Sequence, residues 1–276
     1  MLKMKPLFFV LIILLGLPII SRAQTTPLPK SNHKFIVIAH RGDHSKAPEN
    51  TLAAYQNAID NGADFVEIDL RQTKDSQLII MHNDNIKAMT GHDGEVKDML
   101  FDSIRNKKVR NVSHPEWGLQ TIPTFKEVLQ LCKGKINIYL DFKEAPVAET
   151  FKQILAAGMQ EHVIVYINQP HQFAEWGTIA PMIPLMISLP RSIETKEEMN
   201  KLLVTFDIDI LDGDYTEYNT ETVAAAKAKQ IPIWADIQSQ NEGAVQWQAA
   251  LKLGLQGLQT DHVKELVNFL IQKGVR

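Results

Sequence analysis

His40 and Arg41 end a short apolar run, Ile36-Val37-Ile38-Ala39, and Gly42 follows at once. Continuous apolar runs of this length are typical of buried parallel strands, and ligands collect beyond the carboxyl ends of such strands. A side chain that can carry a proton thus stands beside a planar cation suited to two phosphate oxygens. In Asp64-Phe65-Val66-Glu67-Ile68-Asp69-Leu70 the pattern alternates. Phe65, Glu67 and Asp69 share one face of a strand, and Val66, Ile68 and Leu70 the other. Carboxylates are rarely buried without a partner; a cation is the natural one, and a pair of basic residues is the alternative. His82 follows the run Leu78–Met81, and Asp141 and Lys143 follow Ile136–Leu140. An all-oxygen set of Glu67, Asp69 and Asp141 favours a hard divalent cation, Mg²⁺ or Ca²⁺, over Zn²⁺. With Arg41 and Lys143 on the non-bridging oxygens and His40 and His82 as acid and base, the set reads as metal-assisted phosphodiester cleavage.

Other polar residues are open to two readings. Glu49 is either a fourth metal ligand or a brace for Arg41, and Asn50 reads as a cap for the helix starting near Thr51. His44, His92, His114, His162, His171 and His262 are expected on the surface or in loops. Asp212 and Asp214 flank Gly213 and read as a turn, and Thr260-Asp261 as a cap for the last helix. Cys132, alone in the chain, sits in a helical pattern and is expected in the core.

Strand-like and helix-like stretches alternate from Phe35 to Gln272, which implies a parallel sheet. The expected fold class is α/β, a (β/α)₈ TIM barrel of ~250 residues, with a small insertion over 85–121 after the third strand. One count does not close. Nine strand candidates compete for eight barrel positions, and the link from Asp69 to Leu78 is too short for a parallel crossover. Either the second and third candidates are joined unusually or one lies outside the barrel.

The amino terminus has the three-part build of a secretory signal peptide: Lys3 and Lys5, an apolar run from Pro6 to Ile20, and small residues around Ala23. Cleavage after Ala23 divides the chain into a signal peptide (1–23), a flexible leader (24–33) and a single barrel domain (34–276). The expected location is periplasmic or secreted, with no stable membrane span once the signal is removed. Net charge is −3, with 45% hydrophobic and 22% charged residues. That balance offers no basic excess for nucleic acid; the expected partner is a small-molecule phosphodiester. The oligomeric state is not legible.

Several separate fragments then converge: His40-Arg41-Gly42, Pro48-Glu49-Asn50-Thr51, Gly62-Ala63-Asp64 leading into Glu67-x-Asp69, Thr73-Lys74-Asp75, Met81-His82, Thr90-Gly91, Ile122-Pro123-Thr124 and Thr260-Asp261. In their order and spacing the chain resembles the glycerophosphodiester phosphodiesterase family. The resemblance implies a (β/α)₈ barrel and hydrolysis of glycerophosphodiesters to glycerol 3-phosphate and an alcohol. It implies His40 and His82 as the acid/base pair, Glu67, Asp69 and Asp141 as metal ligands, and Arg41 and Lys143 as phosphate contacts. Trp234, at the end of the candidate strand Ile231–Ala235, matches a late-strand aromatic that lines the alcohol site, with core packing as the alternative. Two departures stand out. The family usually has Glu where this chain has Asp141, and commonly His-Asp where this chain has His82-Asn83-Asp84. Two rival functions remain. One is a phospholipase D-like enzyme on lysophospholipids, with an acyl groove from Ile104, Val109, Val112 and Trp117; the other is a non-catalytic phosphate-ligand barrel, which predicts a missing catalytic residue.

Overall fold

The computed structural model describes residues 26–111 and 114–276, so the expected signal peptide lies outside the described residues. Eight parallel strands form the barrel: β1 (Ile36–Ala39), β2 (Phe65–Gln72), β4 (Asn137–Glu144), β5 (Val163–Ile167), β6 (Leu185–Ser188), β7 (Ile210–Asp212), β8 (Trp234–Asp236) and β9 (Gly257–Thr260). Strands β1 and β9 pair in parallel, and the bridges Leu211–Ile233 and Asp214–Asp236 join β7 to β8. The ring is thereby closed.

The ninth strand, β3 (Leu78–Ile80), is antiparallel to β2, with Leu70 opposite Ile80 and Gln72 opposite Leu78. The short link is a hairpin, so it needs no crossover. β2 therefore runs on past the barrel rim, and its hairpin partner returns the chain to the mouth at His82.

Period-two burial sorts the side chains. Ile36, Ile38, Phe65, Tyr139, Ile164, Met186, Ile210 and Trp234 fill the barrel interior, while the opposite face of each strand packs under the helices. Thr124 and Glu127 form a reciprocal capping box that starts α4 (Phe125–Cys132). Cys132 is buried there, and burial pushes its thiol up to about 12; it is a core residue. Between β3 and α4 the described residues include the short α-helices α2 (Lys87–Thr90) and α3 (Phe101–Arg105), with 3₁₀ turns at Val96–Asp98 and Pro115–Trp117. They share a small apolar core of Ile79, Met81, Ile86, Met89, Val96, Ile104, Val109 and Ile122.

The leader expected to be flexible is packed over its described part. Thr26 is buried and its N–H donates to Asp209 at 3.1 Å. Leu28 packs on the barrel interior from the amino-terminal end, and the Lys30 carbonyl accepts from Asn137 at 2.9 Å. The open lower end of a barrel exposes apolar side chains, and covering them outweighs the entropy of ordering a few residues.

Candidate active site

The loop after β1 carries the first group of candidate residues, and its backbone is unusual. Arg41 (φ 54°) and Gly42 (φ 82°) are both left-handed, as is Asn50 (φ 54°). Gly42 is required for space as well, because a Cβ there would lie 2.8 Å from the Ala54 carbonyl carbon. The turn aims the Arg41 N–H at Glu67 Oε2, 2.7 Å away. Asn50 N–H closes the loop on the Arg41 carbonyl at 2.9 Å. Thr51, not Asn50, caps α1 (Leu52–Asp60). The Asn50 side chain instead donates to Asp69 Oδ2 at 2.8 Å and accepts from the Tyr55 hydroxyl at 2.7 Å.

Glu67 and Asp69 on β2 and Asp141 on β4 meet because Asp69 and Asp141 are register partners. Each offers a carboxylate oxygen within 4.8 Å of the others, so the shorter side chain at position 141 still reaches the group. Burial, then Asp69 and Asp141, push Glu67 well above the ordinary carboxylate range. Burial raises Asp141 too, with Lys143 offsetting part of it. The Lys143 ammonium bonds Asp141 and lies 3.2 Å from Asp69 Oδ1, yet Asp69 Oδ1 is buried and accepts no hydrogen bond. Three carboxylates with an orphaned oxygen are short of positive charge, which is the donor chemistry a hard divalent cation requires. The site residues fit such an ion.

Glu49 is not in that group. It takes Arg41 Nη1 on both oxygens, at 3.0 and 3.2 Å, so it braces the guanidinium. Burial alone would lower Arg41, but Glu49, Asp69 and Glu67 outweigh it and hold the cation firmly charged. Its Nε is buried without a hydrogen-bond partner, 3.7 Å from Asp69 Oδ2.

The two candidate acid/base histidines are oriented differently. His40 Nδ1 lies 2.7 Å from Asp261 Oδ1, and His44 Nε2 reaches the same oxygen at 3.0 Å. Asp261 is thus no helix cap, and His44 is no stray loop histidine. The two imidazoles outweigh burial and hold Asp261 well below the usual carboxylate range; Asp261 in turn raises His44 against burial. His82 Nδ1 lies 2.7 Å from Asn83 Oδ1, so Asn83 takes the orienting role at the position where the sequence departs from His-Asp. Arg71, the inward residue of β2 beyond Asp69, grips the His82 carbonyl at 2.8 Å.

Trp234 does not line the mouth. It begins β8 rather than ending a strand, is 4% exposed, and packs on Phe65 with ring centroids 5.1 Å apart. Gly257 leaves room for it, since a Cβ there would meet the indole at 2.7 Å. The core reading of Trp234 is the correct one, and Asp236, two residues on, reaches the cavity instead.

One cavity of about 190 Å³ joins His40, Arg41, Glu67, Asp69, His82, Asp141 and Lys143. Tyr139, Tyr166, Asn168, Asp212, Asp236, Gln238 and Gln259 complete its wall. Sequence reasoning did not single out most of this second set. Asn168 follows β5 and donates to Asp141 at 2.6 Å. Asp212 is an inward strand-end residue two beyond Ile210, and its inward parity was the available signal; Asp214 is the one that makes the turn.

The family model described as the glycerophosphoryl diester phosphodiesterase family matches residues 40–265. A glycerophosphodiester phosphodiesterase of Caldanaerobacter subterraneus subsp. tengcongensis is 25% identical over 248 residues, covering 87% of this chain and 99% of the relative. One from Bacillus altitudinis is 36% identical over 55% of this chain and 65% of its own length. A crystal structure of an Agrobacterium tumefaciens glycerophosphodiester phosphodiesterase superposes with a TM-score of 0.73 at 19% identity, over 84% of this chain and 99% of that one. The structure of an Oleispira antarctica phosphodiesterase in complex with the product sn-glycerol-3-phosphate has a TM-score of 0.70 at 21% identity, over 86% of this chain and 96% of that one. On the extent of the family match, with the barrel and its mouth described, this chain belongs to the glycerophosphoryl diester phosphodiesterase family.

Proposed function

We propose that this protein hydrolyses glycerophosphodiesters to glycerol 3-phosphate and an alcohol, with a divalent cation, Mg²⁺ or Ca²⁺, on Glu67, Asp69 and Asp141. The observation that carries the reading is the cavity itself. A carboxylate triad short of positive charge, two cations and two separately oriented histidines share about 190 Å³. No residue of the expected set is missing from it except Glu49 and Trp234, so a non-catalytic barrel is disfavoured.

Arg41, braced by Glu49 and lining the cavity, presents its guanidinium to a non-bridging phosphate oxygen, and Lys143 meets another from the β4 side. His82 donates Nδ1–H to a neutral amide, which leaves the Nε2 lone pair free. It takes the proton of the neighbouring glycerol hydroxyl as that oxygen attacks phosphorus. His40, held through Nδ1 by Asp261, turns Nε2 to the cavity and gives a proton from it to the leaving alcohol oxygen. Water then opens the cyclic phosphate with the two roles exchanged. When bound, the cation lowers the pKa of the attacking hydroxyl and neutralises charge developing on the phosphoryl oxygens.

In purified protein supplied with glycerophosphocholine, His40→Ala and His82→Ala are each expected to lower kcat by roughly 10²–10⁴-fold. Unchanged turnover in both would remove the acid/base assignment. We further infer export to the periplasm or medium from the composition of residues 1–23; a mature protein that keeps Met1 by mass spectrometry would contradict it.

One observation favours the lysophospholipid alternative. Beside the cavity, a groove of about 360 Å³ runs between the β1 loop and the inserted segment, lined by Ala47, Pro48, Ala88, Met89, Val109 and Trp117 among others. Of the expected groove residues, Ile104 is buried in the insertion's own core and Val112 lies outside the described residues. A higher kcat/KM on a lysolipid than on its deacylated headgroup would favour this reading.

A further inference from the structure

The chain leaves the β2–β3 hairpin just before His82. Leu70 and Ile80 are register partners at that end of the pairing, and Met81 N–H adds a bond to the Asp69 carbonyl at 2.9 Å. The next two carbonyls turn to a side chain. Arg71 Nε donates to Met81 at 3.2 Å and to His82 at 3.1 Å, and Arg71 Nη2 donates to His82 at 2.8 Å. The Arg71 side chain is 15% exposed, and Arg71 is not among the residues that line the catalytic cavity. An ion pair at the barrel rim is the plainer reading of this arginine. Its carboxylate partner, Glu144, lies 4.0 Å away with its side chain 72% exposed, and such a pair contributes little. The hold on the His82 ring itself is weaker, because Asn83 is a neutral acceptor and its contact with Nδ1 is exposed. Hydrogen bonds from a guanidinium are roughly twice as strong as neutral ones.

We propose that Arg71 is a positioning residue for His82, setting where the imidazole stands over the cavity without touching substrate. The role given to His82 rests on the phosphodiesterase reading. The Met81 carbonyl belongs to the peptide unit before the His82 Cα, and the His82 carbonyl to the unit after it. Both planes that meet at that Cα are therefore pinned, and the direction of its side chain with them. Asp69 and Arg71 lie on one face of β2. The strand that supplies Glu67 and Asp69 to the carboxylate group thus also registers the histidine against them. A lysine at position 71 would keep the charge but lose the planar fork that reaches two carbonyls at once. Proton transfer is sensitive to this placement, since a shift of about 1 Å in a reacting group can cost ~10²-fold in rate.

The test is a double-mutant cycle on the full chain in saturating Mg²⁺ with glycerophosphocholine, using Arg71→Met and Arg71→Lys with and without His82→Ala. Arg71→Met is expected to lower kcat by roughly 10–100-fold with little change in KM, and Arg71→Lys to show part of that loss. On the His82→Ala background the same substitutions are expected to change the rate by less than about threefold, as a residue that acts through another must. An equal fold-loss on both backgrounds would overturn the proposal, and so would wild-type kcat in both single variants. Arg71→Lys keeps the charge and the aliphatic stem, so a folding defect in Arg71→Met leaves a variant to read. Calorimetric Mg²⁺ titration is expected to give unchanged affinity; a loss of affinity in both variants would overturn the proposal by moving the effect to the carboxylates. A further readout needs no turnover. The imidazole NMR signals of His82, identified by their loss in His82→Ala, are expected to shift in both Arg71 variants while those of His40 stay in place. Unmoved His82 signals would overturn the proposal. A protein that cleaves no glycerophosphodiester yet shows the shift keeps this positioning contact and loses the hydrolysis reading, so the two failures are distinguishable.

Discussion

Asp261 holds two imidazoles on a single carboxylate oxygen, and its effect on His40 is one of position. The side chain fixes which nitrogen of His40 faces the cavity, while His44 anchors the carboxylate from the other side. Asp261→Asn is expected to lower kcat about 10²-fold with little change in KM. The same contact gives a pH signature in stability. The depressed Asp261 contributes above the unfolded carboxylate value near ~3.9, and that contribution fades as pH falls through its lower folded value. The raised His44 contributes fully below about 6.5 and loses its part as pH rises through its higher folded value. The stability gap between wild type and Asp261→Asn, followed by urea unfolding, should therefore peak between about pH 4 and 6.5, at roughly 1 kcal/mol after screening by solvent. A gap that does not vary with pH would contradict the pairing.

The β1–α1 loop shows how an element positions chemistry. Its left-handed residues let one backbone N–H and one asparagine amide support the carboxylates on β2. Gly42→Ala meets both an unfavourable φ and the α1 backbone at 2.8 Å. It should cost about 2–4 kcal/mol in urea unfolding and weaken divalent-cation binding, because Arg41 N–H moves off Glu67. At this scale the sequence was informative wherever chemistry followed an uninterrupted apolar strand: His40, Glu67, Asp69, His82 and Asp141 lie at strand ends or on an alternating face. It was misleading at Trp234. Pro232 has no N–H for the sheet ladder, so β8 starts late and the tryptophan enters at the bottom of the barrel. It read Asp261 as a helix cap and His44 as a surface or loop residue, because their shared contact depends on the β1–β9 pairing that closes the ring.

Closure of the whole molecule brings side chains from β2 and β4 opposite those of β7, β8 and β9; strand parity could mark Asp212 as inward, but which walls face each other could not be read strand by strand. The far end of the barrel is also tied. Asp64, 7% exposed, takes the Arg276 guanidinium at 2.9 Å, His33 at 2.7 Å, Ser31 at 2.6 Å and the Val37 N–H at 2.8 Å. The described leader and Arg276 thus meet on one carboxylate beneath β1, and the expectation of a loose leader missed this because it turns on one distant arginine. Arg276→Met removes a buried cation and should destabilise the fold by about 3 kcal/mol, read as a lower urea midpoint, while kcat stays unchanged because the site lies at the opposite end. Across the molecule, the account depends on the Glu67, Asp69 and Asp141 oxygens binding a cation that assists cleavage at phosphorus. The direct measurement is release of glycerol 3-phosphate from glycerophosphocholine by the purified protein, before and after EDTA and after Mg²⁺ or Ca²⁺ is restored. The expected release is one that EDTA abolishes, that the cation restores, and that Asp69→Asn holds at least about 10²-fold lower at any cation concentration. Release indifferent to EDTA, or no release from any glycerophosphodiester with cation present, would contradict it.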